Sequence, residues 1–189
     1  MVELMVTIAI FAILVSIAAP SMDRLIRGAK LDAGAETFQS ALAYARSEAT
    51  KRSASVSILA NGGGANGAGG DFSKGWTIFT DDTGTAGDCT LQTAAGEVLL
   101  RQQDALPNSV NLFVAQSDTG TPPSLTCSPN ATPPNACITY TADGHAELIS
   151  GIGVQRGASF CLQDKNYSAM QRGMTINFLG TYFLAKVTN

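Results

Sequence analysis

Between Glu3 and Asp23 the chain reads LMVTIAIFAILVSIAAPSM, with no charge and almost nothing but apolar side chains. At about 1.5 Å of rise per residue, roughly 19 such residues make a helix about 28 Å long. That is close to the roughly 30 Å hydrocarbon thickness of a bilayer. A soluble core helix needs a polar face, and this segment has none; the hydroxyls of Thr7 and Ser16 can return to helix carbonyls. Pro20 lacks a backbone donor, so a kink or a melted turn is expected near residues 17–21. Beyond it, Leu31, Phe38, Leu42, Ala45 and Ala49 recur at spacings of three, four and seven. They form one apolar stripe on a helix that continues to about Arg52. Gly28 and Gly34 weaken this second half. Continuous over both halves, the helix would be about 75 Å long, the first half protruding and the second packed on a sheet.

After Arg52 the period shortens to two. "SVSILA" and "WTIFT" alternate apolar and polar residues, as half-buried strands do. The intervening "NGGGANGAGGDFSKG" is a loop with few side chains to pack. Further strands are predicted in "EVLLRQ", "SVNLFVA", "CITYTADGHAEL", "ASFCLQD", "GMTINFL" and "TYFLAKV", with hairpin turns at "ADGH" and "FLGTYF". The proline-rich "SDTGTPPSLTCSPNATPPNAC" interrupts the series. The class is therefore α+β: an apolar stem over residues 1–26 and a head over 27–189, made of helix 27–52 and a β-rich remainder.

Composition adds compartment and limits chemistry. Of 189 residues 14% are charged, and the net charge of −3 argues against a general polyanion binder. Cys89, Cys127, Cys137 and Cys161 form no Cys-x-x-Cys pair, and there is one histidine, so a zinc site is not expected. An even cysteine count behind an apolar stem points to disulfides in an oxidising compartment. Four cysteines allow three connectivities; the expected one is Cys127–Cys137, stapling the proline-rich loop, with Cys89–Cys161. His145 falls in a turn and reads as a solvated residue. No nucleophile elbow, phosphate loop or paired acid–base motif occurs, so the chain is not expected to be an enzyme or to carry a cofactor. "DDTGTAGDC" supplies Asp81, Asp82 and Asp88, carboxylates in a glycine-rich loop that suit calcium in type, but the EF-hand spacing is missing. Asn130–Thr132 and Asn166–Ser168 fit a glycosylation pattern that is common by chance.

Glu3 needs explaining. An ionised carboxylate within a membrane costs about 2.5–3.5 kcal/mol, less near the interface, and is usually functional. It is neutralised either by a cation from a neighbouring chain, such as a terminal ammonium, or by lying among headgroups at the helix N-terminus, where the dipole favours it. A secretory signal peptide fits poorly, because no basic residue precedes the run and the run exceeds the usual 7–15 residues or so. Arg24, Arg27 and Lys30 follow it; the positive-inside rule alone would place that end in the cytoplasm.

"VELMVTIAIFAILVSIAAPS" resembles the N-terminal segment of type IV pilins and type II secretion pseudopilins, in which a glutamate leads the hydrophobic stem and a proline lies near its end. Glu3 and Pro20 match that pair in spacing. The Gly-Phe-Thr start of the class is absent, and Met1 stands where a class leucine would. Arg46, Ser47, Glu48 and Ala49, followed by Gly75, Trp76, Phe79 and Asp81, resemble the GspH/FimT/FimU branch, where an Arg-Ser-Glu-Ala segment closes the long helix and a Gly-Trp-x-x-Phe-x-Asp strand follows. These matches cover about a third of the chain. The resemblance implies a pilin fold and a structural minor pilin with its head in the periplasm. It would be anchored once in the inner membrane and assembled with major and minor pilins and the membrane platform. A minor pseudopilin of a type II secretion system, or a DNA-binding minor pilin, are the alternatives. DNA-binding members of the branch carry Gly-Arg-x-Arg near the C-terminus; here the stretch is Gly180, Thr181, Tyr182, Phe183. Arg156, Lys165, Arg172 and Lys186 are the remaining basic candidates, and DNA binding is not expected.

Overall fold

The computed structural model describes residues 2–62, 70–81, 89–93, 96–117, 137–150, 153–155, 157–177 and 179–185; side chains at 17–21, 115–117, 148–150, 153–155, 157 and 184–185 are outside the description. A single helix, α1, runs Val2–Arg52. The melted turn expected at 17–21 does not occur, because α1 is continuous through Pro20. A proline removes one backbone donor, and the helix-forming residues around it keep the other bonds of the ladder. Thr7 and Ser16 return their hydroxyls to the carbonyls of Leu4 (2.8 Å) and Ile13 (2.7 Å), as the sequence requires of polar groups on an apolar helix.

The helix ends through its own chemistry. Ser53 adopts a left-handed φ of 51°. The Ala54 N–H then donates to the Ala49 carbonyl at 3.2 Å, the long closing bond of a Schellman cap. Lys51 (3.2 Å) and Arg52 (2.9 Å) both reach Glu48. The hydrogen bond from Arg52, and then that from Lys51, hold the Glu48 carboxyl below its ordinary range.

Among the described residues ten strands follow: β1 (Val56–Ala60), β2 (Trp76–Thr80), β3 (Leu99–Gln103), β4 (Val110–Ser117), β5 (Cys137–Tyr140), β6 (Ala146–Ser150), β7 (Gly153–Gln155), β8 (Gly157–Asp164), β9 (Gln171–Ile176) and β10 (Tyr182–Ala185). They form a six-stranded sheet ordered β3-β2-β1-β5-β6-β7 and a four-stranded sheet ordered β10-β9-β8-β4. Every pairing is antiparallel. The "ADGH" turn joins β5 to β6, and the "FLGTYF" turn joins β9 to β10, with the Gly180 N–H bonded to the Asn177 carbonyl.

The head half of α1 lies across both sheets. Leu31, Phe38, Leu42, Ala45 and Ala49, the predicted stripe, are all fully buried. Phe38 is the hub of the core. Its ring meets Phe160 of β8 at 4.9 Å, Trp76 of β2 at 5.2 Å and Phe72 at 5.3 Å. Phe72 belongs to a short 3-10 helix (Phe72–Lys74) capped by Asp71, which accepts from the Ser73 N–H at 2.8 Å. Edge-to-face and tilted contacts at these distances contribute about 0.5–1.5 kcal/mol each beyond area burial. Gly34 lets the helix approach closely: a Cβ there would stand 3.2 Å from Leu162.

The alternation of "SVSILA" and "WTIFT" predicts half-burial, yet both strands are buried on nearly every residue. Their polar face is covered too. Ser57, Thr139 and Asp81 are buried there, with Ser57 hydrogen-bonded to both of the others.

Candidate assembly surface

The first half of α1 stands free of the head. Val2, Leu4, Met5, Ile8, Phe11 and Leu14 are all exposed, as are Leu25 and Ile26 further on. Among the described residues no helix is long and apolar enough to cross a membrane; the uncharged run of the sequence includes 17–21, whose side chains are outside the description. Glu3 sits in the first turn, and among the described residues it has no ionic partner. Pro20 lies within the exposed half of the helix.

Where the helix meets the head, a clamp forms that the sequence did not announce. Arg27 donates to Asp23 at 2.8 Å and reaches Asp164, at the end of β8, at 3.5 Å. Its guanidinium also lies 5.0 Å from the Tyr167 ring centroid. The hydrogen bond to Asp23 is the largest of the effects that raise its pKa. Asp164 is buried and accepts the N–H groups of Asn166 (2.9 Å) and Tyr167 (3.1 Å) as well. Five residues beyond Arg27 along α1, Asp32 is held by Arg172 of β9 at 2.6 Å. In sequence, Arg27 looked like one of three basic residues closing the stem; its partner is 137 positions away.

The two branch motifs serve the fold. Gly75 has φ 92°, and a Cβ there would collide with the Gln103 carbonyl oxygen. Trp76 and Phe79 are buried. Asp81 accepts from Ser57 Oγ at 2.5 Å and from the Cys89 N–H at 3.0 Å. Ser57 also shares a 2.6 Å hydrogen bond with Thr139. Asp81 therefore organises a buried polar network; Asp82 and Asp88, the other two calcium candidates, lie outside the described residues, and no cluster of metal-binding side chains occurs among the described ones.

That network explains a correction. The disulfide joins Cys89 to Cys137, with Cα atoms 6.2 Å apart, not Cys127 to Cys137 or Cys89 to Cys161. Thr139, two residues after Cys137, faces Ser57 across β1 and β5, and Asp81 draws the Cys89 backbone to the same place. Cys161 stands on β8 in the other sheet, between Phe113 and Gly173. It is also disulfide-bonded; Cys127 lies outside the described residues.

Two of the four basic candidates lie among the described residues. Arg172 is engaged by Asp32, Lys165 is exposed in the turn after β8, and Arg156 and Lys186 have no described side chains. His145 is in its predicted turn, paired with Asp143 at 2.6 Å. The hydroxyl of Thr141, followed by His145, lowers the Asp143 pKa to about 2.

Sequence reading quoted Arg46 but missed its surroundings. Its guanidinium donates to the Gly180 carbonyl at 3.3 Å. Gly144 and Gly180, both at positive φ, leave it room: a Cβ on Gly144 would lie 3.3 Å from Arg46 Nε, and one on Gly180 3.5 Å away. The glycines of the two predicted hairpins were the available signal.

Comparison with known structures agrees with this architecture. The type IV minor pilin FimU of Pseudomonas aeruginosa superposes with a TM-score of 0.52 at 19% identity, over 82% of this chain and 88% of that one. The minor pseudopilin EpsH from the Type 2 Secretion System of Vibrio cholerae superposes with a TM-score of 0.50 at 12% identity, over 82% and 96%. At such identities the likeness is one of fold. No curated protein matches significantly in sequence. The profile of one family, described as Type II transport protein GspH, matches residues 34–180. From the end of the stem to the β9–β10 turn, through both motifs and both sheets, the chain belongs to the GspH family of pilin-like proteins.

Proposed function

We propose that the chain is a minor pilin that takes part in assembling a type IV pilus through its N-terminal helix. Residues 1–26 form the membrane and assembly stem, and residues 27–189 form a periplasmic head. The role is structural, with other major and minor pilins and the inner-membrane assembly platform as partners. One observation carries this reading: an uncharged, exposed helix with a single carboxylate at its head continues directly into the helix on which both sheets pack. Among the described residues nothing covers this stem, and similar stems from neighbouring subunits would do so. Glu3 would neutralise the terminal ammonium of a neighbouring subunit. Pro20 would ease local unwinding when the stem is packed among others. The family description and the likeness to EpsH favour a second reading, a minor pseudopilin of a type II secretion system.

The test is Glu3→Gln in the full-length chain. Breaking a buried ion pair on one side costs about 3–5 kcal/mol, so the variant should still insert in the membrane but fail to co-purify with partner pilins. Loss of surface pili would mark the pilus, and loss of secreted proteins the pseudopilus. Normal assembly by the Gln variant would reduce Glu3 to a headgroup residue.

A further inference from the structure

Near its C-terminal end, α1 leaves a cleft against the four-stranded sheet. Leu42, Arg46, Ser47 and Thr50 line it from the helix, Gly180 and Tyr182 from the other side. Arg46 is half-buried, and among the described residues it has no carboxylate partner; its one hydrogen bond there is the 3.3 Å contact to the Gly180 carbonyl. The other well-placed arginines of the head, Arg27 and Arg172, each hold an aspartate. Two glycines at φ 83° and 71° keep Cβ atoms away from the Arg46 guanidinium. Behind Gly180 lies Tyr140, fully buried, its hydroxyl without a hydrogen-bond partner among the described residues.

The cleft opens beside an edge strand. Among the described residues β10 bonds only to β9, so it is the edge of its sheet. Edges are commonly blunted by charge or proline. This one instead carries exposed Tyr182 and Phe183, with exposed Leu179 just before it. An edge with unused backbone groups selects an extended chain. Exposed aromatic side chains add area at little entropic cost. A guanidinium in a partly desolvated cleft selects a planar carboxylate, which it can hold bidentately.

We propose that this cleft receives an extended acidic segment of another protein chain, which lies along β10 and places a carboxylate on Arg46. A single cation suits a single carboxylate. Nucleic acid would need a run of phosphate contacts, which a chain of net charge −3 with Arg27, Arg52 and Arg172 held by carboxylates does not offer here. The inference leans on the filament reading only for where the segment comes from, namely a neighbouring subunit; the cleft's preference for a carboxylate does not depend on it.

The experiment titrates the detergent-solubilised full-length chain into two fluorescein-labelled, end-blocked octapeptides, one alternating glutamate with valine, the other glutamine with valine, and reads anisotropy. The glutamate peptide should bind at least tenfold more tightly. Raising salt from 0.05 to 0.5 M should weaken it several-fold. Arg46→Gln should erase the difference between the peptides, and Arg46→Lys should retain part of it. Because the two peptides are compared on the unaltered protein, the result stands even if Arg46 variants fold poorly. Equal affinity for both peptides, or no binding at millimolar concentration, would overturn the proposal. So would binding of a labelled 20-base-pair duplex that Arg46→Gln abolishes while neither peptide binds. Failure of Glu3→Gln to disturb assembly would count against the filament reading and leave the peptide result intact.

Discussion

Asp81 shows how one side chain can settle what its neighbours do. It is fully buried, takes the Ser57 hydroxyl and the Cys89 N–H, and thereby brings the latter's sulfur to β5. Hydrogen bonds to a charged group contribute about 1.5–3 kcal/mol each, and a stranded buried donor adds a penalty. Asp81→Ala should therefore lower stability by about 3 kcal/mol or more, read as a fall in the urea midpoint of the oxidised protein. An unchanged midpoint would mean the network only fills space. Asp143 makes the opposite kind of contribution, at the surface. Its folded pKa, about 2, lies below the ordinary 3.8, chiefly through the Thr141 hydroxyl and then through His145. A depressed carboxyl stabilises the fold above its unfolded pKa and stops doing so as pH falls through the folded one. The melting temperature should therefore decline between about pH 4 and pH 2, and Asp143→Asn should flatten that limb by lowering the melting temperature at pH 7 while changing little at pH 2.

At the scale of elements, α1 ends on a residue poorly suited to its conformation. Ser53 holds φ 51° in the capping position where glycine is most at ease. A left-handed residue with a Cβ costs roughly 1–2 kcal/mol, and glycine's extra freedom when unfolded offsets about 0.4–1 of it. Ser53→Gly should raise stability by about 0.5–1 kcal/mol in chemical denaturation, and a loss would show that the Ser53 side chain matters. The helix itself was legible in the sequence because its periods are long and unambiguous: the uncharged run, then the stripe from Leu31 to Ala49. Nine of the strands were legible from alternation and turn glycines. The tenth, β7, is three residues long and leaves no period to detect. Burial of the polar face of β1 was illegible for a different reason. Ser57 meets Thr139 and Asp81 across 82 and 24 positions, and a local pattern cannot say which distant strand will lie alongside. The disulfide failed as a sequence inference for the same cause, since nearness along the proline-rich loop is not nearness in the sheet. Arg46 was visible as a motif, but its cleft required knowing that two hairpin turns converge on one helix face.

For the molecule as a whole, the Cys89–Cys137 bond closes a span of 48 residues. Loop closure of that size stabilises by about 4 kcal/mol in the chain-entropy account. Replacing both cysteines by alanine should lower the melting temperature on the order of 10 °C for a chain of this length, measured by circular dichroism at fixed pH. A shift of only a degree or two would show that the reduced, unfolded chain is already compact. The clamp at the exit of the helix has a mechanical meaning. A pull on the stem, directed along its axis, enters the head where Arg27 holds Asp164 and Asp32 holds Arg172. Behind the Arg27 tie the load reaches Leu31, and behind the Asp32 tie it reaches Phe38. The Asp32–Arg172 tie sits toward solvent, where dissolved ions weaken it, while buried Asp164 and the aromatic core beyond are less open to salt. The molecule would thus yield in two stages under tension, a first one softened by brine and a second set by the interlocking of rings, so that the stiffness of the joint between stem and head is tuned by the medium while its breaking strength is not.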